Sequence, residues 1–299
     1  VKELERKEKH YHASKNDHLM NSLLKLSVRT MVASISLVAL GLVTHSKLWA
    51  ADAKPSPDEQ IAKVKADLKN EDVAVRQKAI GSLVHSAISG KLFNEMQNAL
   101  TDRDGAVRST AATAIGNLGA DAVPAVPQLT VQLKTDQVKE ARETAARALG
   151  RIGKAAPDSK AQLVPTLQTA SQDDADPVTR VVALGALAMI DVELSQQITA
   201  LRKYLHYEDE LVRMKSAHAL GMLGIVAKDA APEIVEVLKH ETDHHRRGYV
   251  ARALGNTGDP ASLPVLEEAL KVETDTGAQG EMRNAINKLK PKPAASVKP

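Results

Sequence analysis

Apolar side chains recur along this chain with a helical period nested inside a longer one. With Arg76, Arg108, Arg142, Arg180, Arg213, Arg247 and Gln279 as reference positions, successive copies are separated by 32, 34, 38, 33, 34 and 32 residues. Apolar residues follow each reference at offsets three, four, seven and ten: Ala111, Ala112, Ile115 and Leu118 in one copy, Ala145, Ala146, Leu149 and Ile152 in the next. At about 100° per residue these offsets share a single stripe, so the pattern predicts an amphipathic helix with one buried side. A second helix is predicted ahead of it. Pro127, Pro165, Pro232 and Pro264 stand fifteen residues before their references, followed by Leu129, Leu167, Ile234 and Leu266. Proline is tolerated in a first helical turn, where its missing N–H would lack a partner anyway. A period of this length marks a solenoid, in which each unit buries its apolar side only against its neighbours. The expected fold is an all-α solenoid of about seven helical hairpins over residues 57–289.

Gly116, Gly150, Gly221 and Gly255 recur at offset eight, beside the stripe. Glycine inside a helix costs about 1 kcal/mol relative to alanine. Its recurrence predicts that another backbone passes close by.

The segment Asp-Gly-Ala-Val-Arg-Ser-Thr-Ala-Ala-Thr-Ala-Ile-Gly-Asn-Leu-Gly at 104–119 resembles a HEAT repeat, of the short kind found in phycobilisome lyases. The likeness extends over roughly residues 57–289. It implies a superhelix whose second helices line a concave face, serving mainly as a scaffold for protein partners, although a few HEAT proteins are enzymes.

Charged residues recur as well. Asp72, Asp104, Asp176, Asp209 and Asp243 each stand four residues before Arg76, Arg108, Arg180, Arg213 and Arg247. Aspartate at a helix start accepts from free N–H groups and suits the positive end of the dipole. The arginine lies at the centre of the buried stripe and needs a carboxylate, which the neighbouring unit is expected to supply. The reading is therefore a structural ladder, as the resemblance also implies. Arg142 is preceded by Val138 at that position, so Asp136 or Glu140 is expected to substitute.

Offsets two, five and nine point away from the core and define the candidate binding face. The residues that mark it are Arg147, Arg151, Val182, Met189, His218, Met222, Tyr249 and Arg252, joined by Lys215. Apolar side chains with an arginine rim suit a protein or peptide partner.

Composition removes several other readings. Aromatics are 2% of the chain, so the core must be aliphatic. Residues 1–50 carry eight Lys/Arg against four Asp/Glu, and the remainder holds 32 against 33. That even balance argues against a nucleic-acid partner, which calls for a basic stripe. There is no cysteine, hence no disulfide, thiolate metal site or lipid-anchored leader. The cluster His240, Glu241, Asp243, His244 and His245 straddles a predicted loop, and no metal or other cofactor is expected. Among HEAT enzymes, deoxyhypusine hydroxylase uses several His-Glu dipeptides, whereas this chain has one. Lys25 and Arg29 precede an uncharged run of fourteen residues, Met31 to Thr44, and then small residues at 50–53. This order is that of a secretory signal peptide over 20–53, giving a periplasmic or secreted protein with no stable membrane insertion after cleavage. Residues 1–19 are expected to be an over-called extension, and 290–299 a disordered Pro/Lys tail. The function expected is an exported, non-catalytic scaffold. The alternative is a bilin-lyase-like or metal-dependent HEAT-repeat enzyme, or a subunit of one.

Overall fold

The computed structural model describes residues 55–291. The extension expected over 1–19, the leader over 20–53 and residues 292–299 of the tail lie outside them. Among the described residues the chain forms an α-solenoid of seven helical pairs without strands. The pairs are α1 (Pro57–Asp67) with α2 (Val73–Gly81), α3 (Phe93–Ala99) with α4 (Gly105–Asn117), α5 (Val126–Thr135) with α6 (Lys139–Ala155), and α7 (Lys160–Asp173) with α8 (Pro177–Met189). They continue with α9 (Leu194–Tyr204) and α10 (Glu210–Leu223), α11 (Ala231–His240) and α12 (His244–Thr257), and α13 (Leu263–Val272) and α14 (Thr276–Leu289). Among the described residues no helix is long and apolar enough to cross a membrane.

The core is aliphatic. Ile80, Leu92, Ile115, Leu129, Leu149, Ile152, Leu163, Leu220, Ile234 and Leu254 are wholly removed from solvent, each contributing about 1.5–3 kcal/mol by burial. Second helices pack on one another in order, α4 on α6, α6 on α8, α8 on α10, α10 on α12 and α12 on α14. Their approach is close because glycine faces alanine. A Cβ added to Gly150 would sit 2.9 Å from Ala186 Cα, and one added to Gly221 would sit 2.6 Å from Ala253 Cα. No side chain fits such a gap without moving a backbone. Pro127, Pro232 and Pro264 begin α5, α11 and α13. Pro165 instead lies inside α7, which starts earlier behind a 3-10 turn at Pro157–Ser159.

Where the ladder is regular, its arginine reaches in two directions. Nη1 donates within its own repeat to the carbonyl six residues earlier: Arg76 to Asn70 (2.9 Å), Arg108 to Asp102 (2.8 Å) and Arg142 to Asp136 (3.0 Å). Nε and Nη2 donate to a carboxylate of the next repeat. Arg76 meets Asp102, Arg108 meets Asp136, Arg142 meets Asp174 and Arg247 meets Glu273, all at 2.6 to 3.0 Å. That carboxylate also accepts the backbone N–H two residues on, at 2.8 to 3.0 Å. One side chain thus closes its own loop and bolts it to the preceding repeat.

The acids of the ladder, Asp102, Asp136, Asp174 and Glu273, stand six residues before reference positions rather than four. Asp72, Asp104, Asp176, Asp209 and Asp243 turn their oxygens to the free N–H groups at the start of α2, α4, α8, α10 and α12. Asp136 does not stand in as a cap for Val138, because it accepts from Arg108, and α6 has no side-chain cap. Electrostatics follow the geometry. Burial alone would raise the Asp102 and Asp136 carboxyls, but the guanidinium and the backbone donor together hold both below the usual range. Arg247 draws Glu273 down to about 2.

The regularity fails between repeats four and five, and the carboxylate clasp is missing again between five and six. Tyr207 occupies the ladder-acid position at the first of these junctions, so Arg180 donates to the Tyr204 hydroxyl (3.1 Å) and to the Asp174 carbonyl (2.5 Å). Arg213 donates to the carbonyls of Tyr207 and Glu208, and its ion pair is with Glu210 of its own helix at 3.8 Å. Glu241, which could have met it, accepts from Arg246 (2.9 Å). Ala188 replaces glycine at offset eight, and the close approach shifts to Gly185, whose added Cβ would meet Ala219 Cβ at 3.1 Å. The loop after α8 holds Asp191 and Glu193 in left-handed conformations (φ 61° and 48°), unusual for residues carrying a Cβ. The apolar core divides along α8 as well. Ala183, Ala186, Leu187 and Ile190 belong to the N-terminal cluster, Val178, Val181 and Leu184 to the C-terminal one.

Candidate partner-binding face

The outward offsets of the second helices place Arg147 and Arg151 on α6, Val182 and Met189 on α8, Lys215, His218 and Met222 on α10, and Tyr249 and Arg252 on α12. One contact brings helices two repeats apart together. Lys215 Nζ of α10 lies 3.4 Å from Glu143 Oε2 of α6, reaching past α8. Such a span is possible because α8 offers only Val182 and Gly185 at the intervening offsets. The ion pair therefore bridges two repeats over the helix between them.

Around this bridge the cations gather. His218 is flanked by Arg147 and Arg151 from α6, Lys215 on its own helix, and Tyr249 and Arg252 from α12. Its ring meets Tyr249 edge-on at 6.1 Å between centroids, and the Arg252 guanidinium lies 4.7 Å from the centre of the same Tyr249 ring. Burial first, and then the positive charges of Arg252, Arg147, Lys215 and Arg151, push His218 down to about 4. It is neutral at pH 7. Arg151 is drawn below its ordinary value by burial and then by the like charge of Arg147.

Two of the four permanent cations have carboxylates. Lys215 is paired with Glu143, and Arg252 Nη1 with Glu281 at 3.5 Å. Arg151 donates to the Asn117 side-chain oxygen at 2.5 Å, a neutral acceptor. Among the described residues neither Arg147 nor Arg151 forms an ion pair. Half-buried guanidiniums without counter-ions are electrostatically unfinished.

The apolar part of the face differs from the expectation. Met222 is 51% and Tyr249 45% exposed, while Val182 and Met189 are half-buried, Val182 packing against both cores. Val182 loses exposure because it packs against both apolar clusters, a tertiary effect invisible to a helical wheel. Ile225 (64% exposed) and Val226 (56%), in the 3-10 turn after α10, extend the exposed apolar stretch. A wheel drawn for the helix alone stops before them.

The histidine-rich loop has other duties. Glu241 accepts from Arg246 Nε and from the backbone N–H of Asp243 (2.9 Å each), and Asp243 caps α12. His244 lies 3.9 Å from Asp275, and His240 3.8 Å from Glu236. Among the described residues no three His, Asp or Glu side chains are arranged to share a metal ion.

The family model for HEAT repeats matches residues 61–150, 93–173 and 164–248, and the model for the PBS lyase HEAT-like repeat matches 246–271. The chain belongs to the HEAT-repeat family. Among solved structures it is similar to the complex of CpcE and CpcF of phycocyanin lyase from Nostoc sp. PCC7120, at 21% identity and TM-score 0.49, covering 80% of this chain and 96% of that one. An engineered protein matches at 21% identity and TM-score 0.41, covering 77% of this chain and 68% of its own. A mutant of Kap121p matches at 14% identity and TM-score 0.46, covering 76% of this chain and 29% of its own. No curated protein matches. HEAT repeats supply a framework of packed helices, and function has to be read from the face they present.

Proposed function

We propose that this HEAT-repeat protein is an exported, non-catalytic scaffold that holds a protein partner on the second-helix face of repeats three to six. The observation that carries this reading is that exposed Met222 and Tyr249 share the second-helix face with Arg147 and Arg151, which form no ion pair among the described residues. Exposed apolar side chains rimmed by arginine favour protein association. The ladder arginines, the other charged groups that could suggest chemistry, are engaged in closing loops and joining repeats. Export rests on the positive, apolar and small-residue order of residues 20–53.

A photo-crosslinking amino acid placed at Met222 or Tyr249 in the producing cells tests the reading. Val131 and Val272, 60% and 75% exposed on first helices, serve as controls. One dominant adduct from the inner positions and none from the controls is expected. No adduct, or equal adducts at all four positions, would remove the scaffold reading. A purified protein that is coloured, or that retains stoichiometric iron or zinc, would favour an enzyme instead.

A further inference from the structure

The chemistry of the occupant can be narrowed from the charges that remain open on this face. Four permanent cations converge on α6, α10 and α12, and the chain supplies carboxylates for two, through Glu143 and Glu281. The open pair, Arg147 and Arg151, lies one helical turn apart on α6, so both guanidiniums project from the same side. Each presents a planar fork of donors that matches a carboxylate.

We propose that the occupant is an extended peptide segment of the partner bearing acidic side chains beside apolar ones, its carboxylates held by Arg147 and Arg151. This rests on the scaffold reading above. The apolar side chains would lie on Met222 and Tyr249, two and three second helices further along the face. A nucleic-acid strand suits the same surface poorly. A continuous phosphate backbone needs an unbroken cationic track, whereas Glu143 and Glu281 interrupt this one. Two open guanidiniums answer one or two carboxylates. His218, held neutral between them and Tyr249, adds a polar ring to the floor without adding repulsion.

The distance sets the length of the segment. From α6 to α12 there are three helix-to-helix steps of about 8–10 Å each. An extended peptide rises about 3.3 Å per residue, so about eight residues cross the face and a dodecapeptide covers it.

The experiment is selection of phage-displayed random dodecapeptides on the full chain, followed by fluorescence anisotropy of the selected peptides. Expected is an excess of Asp and Glu over Lys and Arg, with at least one apolar residue nearby. Affinity should fall about tenfold or more in Arg147→Gln/Arg151→Gln, at unchanged helix content by circular dichroism. In Arg147→Lys/Arg151→Lys, which keeps the charge and loses the fork, the fall should be smaller. Selected peptides that are neutral or basic, or that bind the Gln variant equally well, would overturn the acidic assignment while leaving the scaffold reading intact. A twelve-nucleotide single-stranded DNA that displaces the peptides at equal concentration would overturn it in favour of a polyanion. Failure to enrich any peptide, together with no adduct at Met222 or Tyr249, would remove both.

Discussion

Repeats two to three and repeats four to five are joined by the same kind of element in two different ways. At the first junction Arg108 is clasped by Asp136 through two hydrogen bonds, and Gly116 lets Ala148 approach α4 directly. At the second, Arg180 has a tyrosine hydroxyl in place of a carboxylate, glycine has moved from offset eight to offset five, and the core divides. Both junctions hold the stack together, but only beside the second does an ion pair, Lys215 with Glu143, cross from repeat five to repeat three, the repeat that carries the open cations. Departures from a structural rule tend to gather where a surface does something besides folding. Here the regular repeats serve as a rigid frame, and the irregular junction shapes the face.

The largest effect expected on this contrast comes from the ladder. Arg142→Ala leaves the buried Asp174 without its guanidinium and should cost about 3–5 kcal/mol in denaturant unfolding. Arg180→Ala gives up a neutral hydroxyl and a carbonyl, and should cost about 1–2 kcal/mol. Equal losses would erase the distinction between the junctions. A glycine pair sharpens it next. Gly150→Ala forces a Cβ against the Ala186 backbone and should destabilise by about 1–3 kcal/mol. At Gly185 the new Cβ meets only the Ala219 methyl, and the gain in helix propensity, about 1 kcal/mol, offsets most of the crowding.

His218 provides a third contrast, in pH. Its folded value of about 4 lies below the unfolded 6.5, so between those limits the unfolded chain takes up a proton that the folded chain refuses. Stability from this site is complete above about pH 6.5 and declines as pH falls toward 4. His218→Gln should therefore lose less stability than the parent between pH 7 and pH 5, by on the order of 1–2 kcal/mol. Identical pH profiles would mean that the ring is not enclosed by Arg147, Arg151, Lys215 and Arg252. The smallest effect on stability is expected at the exposed positions. Met222→Asp and Tyr249→Ala should weaken partner binding and shift the melting temperature by no more than about 2 °C. A large shift in either would mark that residue as core.

Much of the fold can be read from the sequence because its signals are local and repeated. Offsets three, four, seven and ten after Arg108 or Arg142 suffice to define the buried stripe, and glycine at offset eight announces a close helix. The ladder acids were harder to see. Asp102, Asp136, Asp174 and Glu273 form a column six residues before each reference, but Asn70, Tyr207 and Glu241 break its uniformity. The Asp column at minus four is more regular and masks it. The face was legible in outline, since a wheel names Arg147, His218 and Tyr249. It cannot show that Lys215 of α10 reaches Glu143 of α6 past α8, a contact between residues 72 apart. That contact depends on small side chains at Val182 and Gly185 and on the shifted register of the fourth junction, both tertiary properties.

Hydrogen exchange of the full chain, with and without a selected acidic dodecapeptide, tests the central claim most directly. The account predicts slowed exchange confined to α6, α8, α10 and α12, with α1 to α4 and the first helices α5, α7, α9 and α11 unchanged. Protection centred on the first helices, or on the regular N-terminal repeats, would contradict it.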